Sequence, residues 1–155
     1  MESNSDLERD AATVLGYMLF EYSRLDMELG LFLVWADEGK NLDERTEKFN
    51  EANFGKRLEI LEKLARSKYS GNSVVIDEYA KWLRDAHEVR NLRNQLFHGR
   101  WGFIPQKGLV ANVVGLPTLP EQSERRYSMA QLNESLQTMR QLRNRLSELR
   151  HGWPI

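Results

Sequence analysis

Between Leu7 and Ala36 the apolar residues fall at steps of three and four: Leu7, Ala11, Val14, Leu15, Met18, Tyr22, Leu25, Leu29, Phe32, Leu33 and Ala36. Only a helix gathers that spacing onto one face. A helix of this length runs to about 45 Å, so any fold the chain adopts has to be built around it. Ser5-Asp6-Leu7-Glu8 has the Ser-x-x-Glu form of a capping box at its start, and Gly39 is the expected stop. A second stripe, Tyr17, Phe20, Met27, Leu31 and Val34 with Arg24 in the same row, lies outside the first. Two apolar faces imply either a central helix buried on both sides or a seam for a second copy of the chain. The apolar run Val14 to Trp35 is broken by Glu21, Arg24, Asp26 and Glu28, which argues against a membrane span.

The remaining chain continues the helical pattern with one interruption. Asp43 to Asn50 suits a short helix. Phe54, Leu58, Leu61 and Ala65, widened by Ile60 and Leu64, mark a second full helix up to the break at Gly71-Asn72-Ser73. A third follows, with Tyr79, Trp82, Ala86, Val89, Leu92 and Leu96 inward and Gly99 as its stop. The period then becomes alternating: Arg100 to Ile104 and Leu109 to Val114 flank Pro105-Gln106-Lys107-Gly108 as a β-hairpin, and Arg125 to Tyr127 can add a third short strand. Ser128-Met129-Ala130-Gln131 is another capping box. It opens a last helix through Leu132, Leu136, Met139, Leu146 and Leu149, which stops near Gly152 and Pro154. The expected fold is all-α: a four-helix bundle with a small β-hairpin between helices three and four, forming one domain over residues 1–155. There is no βαβ alternation and no glycine-rich phosphate loop, which argues against a Rossmann or P-loop enzyme.

Cysteine is absent, which removes disulfides, thiolate metal sites and thiol nucleophiles. That suits a reducing cytosol, and we expect a cytoplasmic protein without membrane association. The acidic, polar start MESNSDLERD is unlike a signal or transit peptide. The net charge of −1 hides an asymmetry: the first 50 residues hold 12 acids and 5 bases, the other 105 hold 11 and 17. An anionic partner is therefore expected to meet the later part of the chain.

The chemistry concentrates in Arg90 to Trp101, RNLRNQLFHGRW. Arg93 lies inside the apolar arc of the third helix, where an unpaired guanidinium costs several kcal/mol, so it needs a partner or a cavity. His87, Asn91, Asn94 and His98 form a polar row on the other side. On an ideal helix Arg93 and His98 sit roughly 140° apart, too far to aim at one small target unless the last turn unwinds or a second copy contributes. Arginine offers a permanent charge in a planar fork that matches phosphate, and histidine exchanges a proton near neutral pH. Asparagine bonds without titrating. These are the parts needed to cleave RNA without a metal: a base for the 2′-OH, an acid for the leaving oxygen, a cation for the phosphorane.

Arg93-Asn94-Gln95-Leu96-Phe97-His98-Gly99 resembles the signature of the HEPN superfamily (higher eukaryotes and prokaryotes nucleotide-binding domains), in which Arg, usually followed by a polar residue, precedes His by four to six residues. The resemblance implies a helical bundle, with Arg93, Asn94 and His98 as catalytic residues. It also implies a metal-independent endoribonuclease, of the kind found among toxins and antiviral effectors, acting as a homodimer in which two motifs form one cleft. No cofactor or metal is implied, and an antitoxin or regulatory partner protein fits such a role. Arg90 and Arg100 beside the motif, and Arg140 and Arg143 on the last helix, are the expected RNA contacts. The hairpin after His98 is an elaboration outside the motif.

Plainer readings stand beside these. Arg93 can be a structural arginine paired with an acid such as Glu59 or Glu62, and His98 a helix C-cap. The row Arg140, Arg143 and Arg150 serves equally as a solvated face or an RNA groove. Trp101 and Phe103 suit a hairpin core or a base-stacking platform, and His151 a solvated cap. His87 and His98 are three turns apart, too far to share one ion. The rival class is a non-catalytic nucleotide- or RNA-binding module or dimeric adaptor using the same arginine-bearing cleft.

Overall fold

A computed structural model describes residues 3–155. The described residues form five α-helices and a three-stranded antiparallel sheet: α1 (Asn4–Val34), α2 (Leu42–Phe49), α3 (Phe54–Lys68), α4 (Ser73–Phe97), β1 (Arg100–Ile104), β2 (Leu109–Val114), β3 (Ser123–Ser128) and α5 (Met129–Gly152). The chain resolves into two compact units, each made of separated stretches. Unit 1 combines the chain up to Tyr22 with Asn91–Met139. Unit 2 combines Ser23–Arg90 with Arg140–Ile155. None of the described helices is long and apolar enough to cross a membrane.

In unit 1 the N-terminal part of α1 buries Leu7, Ala11, Val14 and Met18, and α5 buries Leu132, Leu136 and Met139. Each large apolar side chain withdrawn from water contributes about 1.5–3 kcal/mol. The capping box of α5 forms as its sequence dictates: Gln131 N–H donates to Ser128 Oγ (3.1 Å), and Ser128 N–H donates to Gln131 Oε1 (2.8 Å). At α1 the cap falls two residues earlier than expected. Ser3, not Ser5, accepts from Asp6 N–H, and its hydroxyl donates to the Asp6 carboxylate. That hydroxyl bond holds the Asp6 carboxyl below its ordinary range.

The hairpin grows into a meander of order β1-β2-β3, with Arg100 opposite Val113, Phe103 opposite Val110, and Val110 opposite Tyr127. The third strand is longer than the expected Arg125–Tyr127. Its Arg126 bonds Glu124, two residues along the same strand, at 2.9 Å, and the ladder pairs it from Ser123 to Ser128. Trp101 and Phe103 are half-buried. The Trp101 ring lies 6.2 Å from Tyr127, so Trp101 serves the sheet's own packing.

In unit 2, Leu25, Leu29, Phe32 and Leu33 of α1 are buried, as are Leu58, Leu61 and Ala65 of α3. Tyr79, Trp82, Ala86 and Val89 of α4 and Leu142, Leu146 and Leu149 of α5 complete the core. Several side-chain donors bond across elements. Trp82 Nε1 donates to Leu142 O (2.9 Å), and Arg57 Nη1 bonds both the carbonyl and the carboxylate of Asp26 at 3.0 Å. Arg145 reaches Asp85 at 2.6 Å. Tyr79 and Tyr69 donate to Trp153 O and Pro154 O, both at 2.5 Å, and pin the last residues of the chain.

α1 stops at Val34, short of Gly39. Ala36–Gly39 form a 3-10 turn in which Asp37, Glu38 and Gly39 are all left-handed, with φ of 54°, 58° and 73°. The second apolar stripe is exposed, with Tyr17 at 49%, Phe20 and Met27 at 56% and Leu31 at 44%. The account of α1 as a helix buried on both sides therefore fails.

Candidate functional site

Unit 1 holds the Arg93–His98 motif, and its geometry differs from that of an ideal helix. α4 ends at Phe97, so His98 already lies in a bend outside the last turn. Gly99 makes that exit possible. Its φ is +86°, and a Cβ there would stand 2.4 Å from Val113 O. Only glycine tolerates both conditions.

The helix end is tied to the sheet at three points. Trp101 Nε1 donates to Leu96 O (3.1 Å), Arg125 Nη1 to Gln95 Oε1 (2.6 Å), and Asn112 Nδ2 to His98 O (3.1 Å). Asn112 is buried on β2, so its amide is a fixed anchor for the His98 backbone. The imidazole itself is exposed and has no hydrogen-bond partner among the described residues. His98 is therefore fixed at its main chain and open at its ring.

Arg93 is half-buried. Its guanidinium carbon lies 5.2 Å from the Tyr22 ring centroid and 5.6 Å from that of Phe97. Nη1 donates to Asn94 Oδ1 at 3.3 Å, and buried Nε–H has no acceptor. No carboxylate pairs with Arg93 among the described residues. Glu59 bonds Lys56, which lowers its carboxyl pKa, and Glu62 bonds Arg66. Two aromatic faces contribute roughly 0.5–2 kcal/mol each to holding the cation, while an unsatisfied N–H costs about 1–3 kcal/mol. The cation is thus oriented without being neutralised, a state that favours an incoming anion.

The expected RNA contacts fall in different places. Arg100, in unit 1, spends its donors on Gly115 O and Gln122 Oε1, holding the β2–β3 loop. Arg90, Arg140 and Arg143 belong to unit 2. The Arg90 guanidinium packs on the α3 backbone, close enough that a Cβ on Gly55 would sit 2.9 Å from its Cζ. Arg140 is half-buried, and Arg143 Nε lies 3.7 Å from Glu28. No group of three or more His, Asp or Glu side chains is placed to hold a metal ion among the described residues.

Sequence reasoning overlooked Tyr22 and Phe97 as the walls around Arg93, and Asn112 as the anchor of His98. The first two were visible only as members of apolar faces. An asparagine in the middle of an alternating apolar strand, Leu109-Val110-Ala111-Asn112-Val113-Val114, was the signal for the third, since a buried amide must find a partner.

No protein-family model, curated protein or solved structure matches this chain.

Proposed function

We propose that the protein is a metal-independent endoribonuclease of HEPN type, built on a HEPN-like helical bundle and working as a homodimer on single-stranded RNA. The observation that carries this reading is Arg93: a half-buried guanidinium clamped by Tyr22 and Phe97, with no opposing carboxylate among the described residues, beside Asn94 and five residues before an open imidazole. The plainer alternative has Arg93 paired with an acid such as Glu59 or Glu62, and those two bond Lys56 and Arg66.

The chemistry follows from the groups. A His98 imidazole takes the 2′-OH proton as the 2′-oxygen bonds to phosphorus. The bond from phosphorus to the 5′-oxygen breaks, and an imidazolium delivers a proton to that leaving oxygen. Arg93 balances the charge on the non-bridging oxygens as the phosphorane forms, and Asn94 orients the phosphate. The products are a 2′,3′-cyclic phosphate and a 5′-OH, with neither water nor metal consumed. A single His98 can take the first proton and return it to the leaving oxygen. A cleft in which the arginine of one chain meets the histidine of its partner needs two chains, and the exposed stripe of α1 supplies apolar surface for a second copy. A toxin or antiviral effector under the control of an antitoxin or activator is the biological setting that fits.

Purified protein incubated with end-labelled RNA and a chelator tests this. Cleavage is expected, ending in cyclic phosphate, and it is lost in both Arg93→Ala and His98→Ala. The rival is a non-catalytic binding module, favoured by the same uncompensated cation. It predicts no cleavage by any form, with RNA binding lost only in Arg93→Ala. Growth arrest on expression, relieved by either substitution, separates a toxin from a housekeeping nuclease.

A further inference from the structure

Unit 2 carries a basic, aromatic groove that the Arg93 motif does not use. Two concavities of about 400 and 240 Å3 share Phe32 and Arg150 in their walls. Arg143 lines the first, and Trp35, Lys40 and Lys68 line the second. Of the acids nearby, Glu28 lies 3.7 Å from Arg143, and Asp37 is held by Arg45 at 2.8 Å. No ion pair engages Lys40, Lys68 or Arg150 among the described residues, and the acidic side chains lining the smaller concavity with them are Glu38 and the Arg45-paired Asp37.

The turn that shapes this wall is strained. Asp37 and Glu38 are the non-glycine residues with positive φ among those described, and they precede left-handed Gly39. Such strain needs compensation elsewhere and gathers at binding sites. Here it lays the Gly39 backbone against the Trp35 ring, so closely that a Cβ on Gly39 would be 2.7 Å from Trp35 Cε3. Trp35 is braced on that side yet remains 48% exposed. A rigid, open indole next to uncommitted cations is the arrangement by which a base stacks while its flanking phosphates are held.

We propose that this groove is a second contact for single-stranded RNA, with one base on Trp35 and neighbouring phosphates on Lys40, Lys68 and Arg150. The choice of RNA as the anion rests on the nuclease reading.

The test is fluorescence anisotropy with a labelled oligoadenylate across a salt series, in a His98→Ala background to keep the probe intact. Replacing Lys40, Lys68 and Arg150 together by Ala is expected to reduce the salt slope of log K by about 2, at roughly 0.7 per phosphate contact. Trp35→Leu should weaken binding about tenfold and leave the slope unchanged, whereas Trp35→Phe retains most of the affinity. Unchanged affinity and slope in the triple variant and in Trp35→Leu would overturn the proposal. It would also be overturned if polyaspartate displaced RNA charge for charge while Trp35→Leu bound normally, since the groove would then suit acidic peptide. Failure of the nuclease reading is read separately. Groove-dependent binding without cleavage by the unmodified protein removes the enzyme and keeps the groove. Cleavage with groove-independent affinity removes the groove alone.

Discussion

His98 and Gly99 are neighbours with opposite demands. The His98 ring touches nothing that the fold needs, so His98→Ala should leave the thermal midpoint within about 2 °C of the unmodified protein while abolishing cleavage. Gly99→Ala meets a left-handed backbone and the Val113 carbonyl together. We expect a loss of more than about 2 kcal/mol in urea unfolding, because neither penalty relaxes without moving β2. Arg93→Lys keeps the charge but loses the planar fork and its stacking on Tyr22 and Phe97. Cleavage should fall at least tenfold although the local charge is unchanged.

The sheet explains why the helix end matters. It looked from the sequence like an appendage to a bundle, but Trp101, Arg125 and Asn112 each bond the last turn of α4 or the His98 carbonyl. Asn112→Leu removes one such bond and leaves His98 O without its protein donor. We expect a loss of about 1–3 kcal/mol in stability, with a fall in kcat at nearly constant KM as the imidazole wanders. In unit 2, burial pushes the Tyr79 hydroxyl above its ordinary range, and Tyr69 moves the same way for the same reason. An acid whose pKa rises on folding keeps its proton in the folded state while the unfolded chain releases it. The contribution is therefore fully present below about pH 10 and is lost as pH climbs beyond it. Urea midpoints measured from pH 8 to 11 should fall, and Tyr79→Phe should flatten that decline.

Helix periodicity and capping chemistry made α3, α4, α5 and the β1–β2 hairpin legible, because apolar spacing and Ser128/Gln131 act locally. What stayed hidden was set by tertiary context. Nothing in Trp35-Ala36-Asp37-Glu38 announces two left-handed acidic residues, so α1 was read on to Gly39. Ser3 and Ser5 offer equivalent hydroxyls two residues apart, and the Ser3–Asp6 bond decided between them. At the site, Arg93, Asn94 and His98 stood out by chemical type. Tyr22 could not, since the sequence says nothing of which aromatic will meet a guanidinium 71 positions away.

Taken as a whole, the chain leaves one face of α1 apolar and open, and the proposed chemistry asks for a second copy. Sedimentation should show a dimer at micromolar concentration, and Phe20→Glu should shift it toward monomer with loss of cleavage but not of helical content. The basic excess after residue 50 suits the proposed RNA partner, and the proposal predicts an affinity that weakens steeply with added salt.

The central claim is that an arginine and a histidine from different subunits act on one phosphodiester. It is tested most directly by allowing the Arg93→Ala and His98→Ala proteins, each inactive alone, to exchange subunits and then measuring RNA cleavage. Half of the dimers become mixed, and each mixed dimer regains one complete pairing, so about a quarter of the unmodified activity should return. A mixture that stays as inactive as its components, beside an unmodified protein that cleaves, would contradict the account.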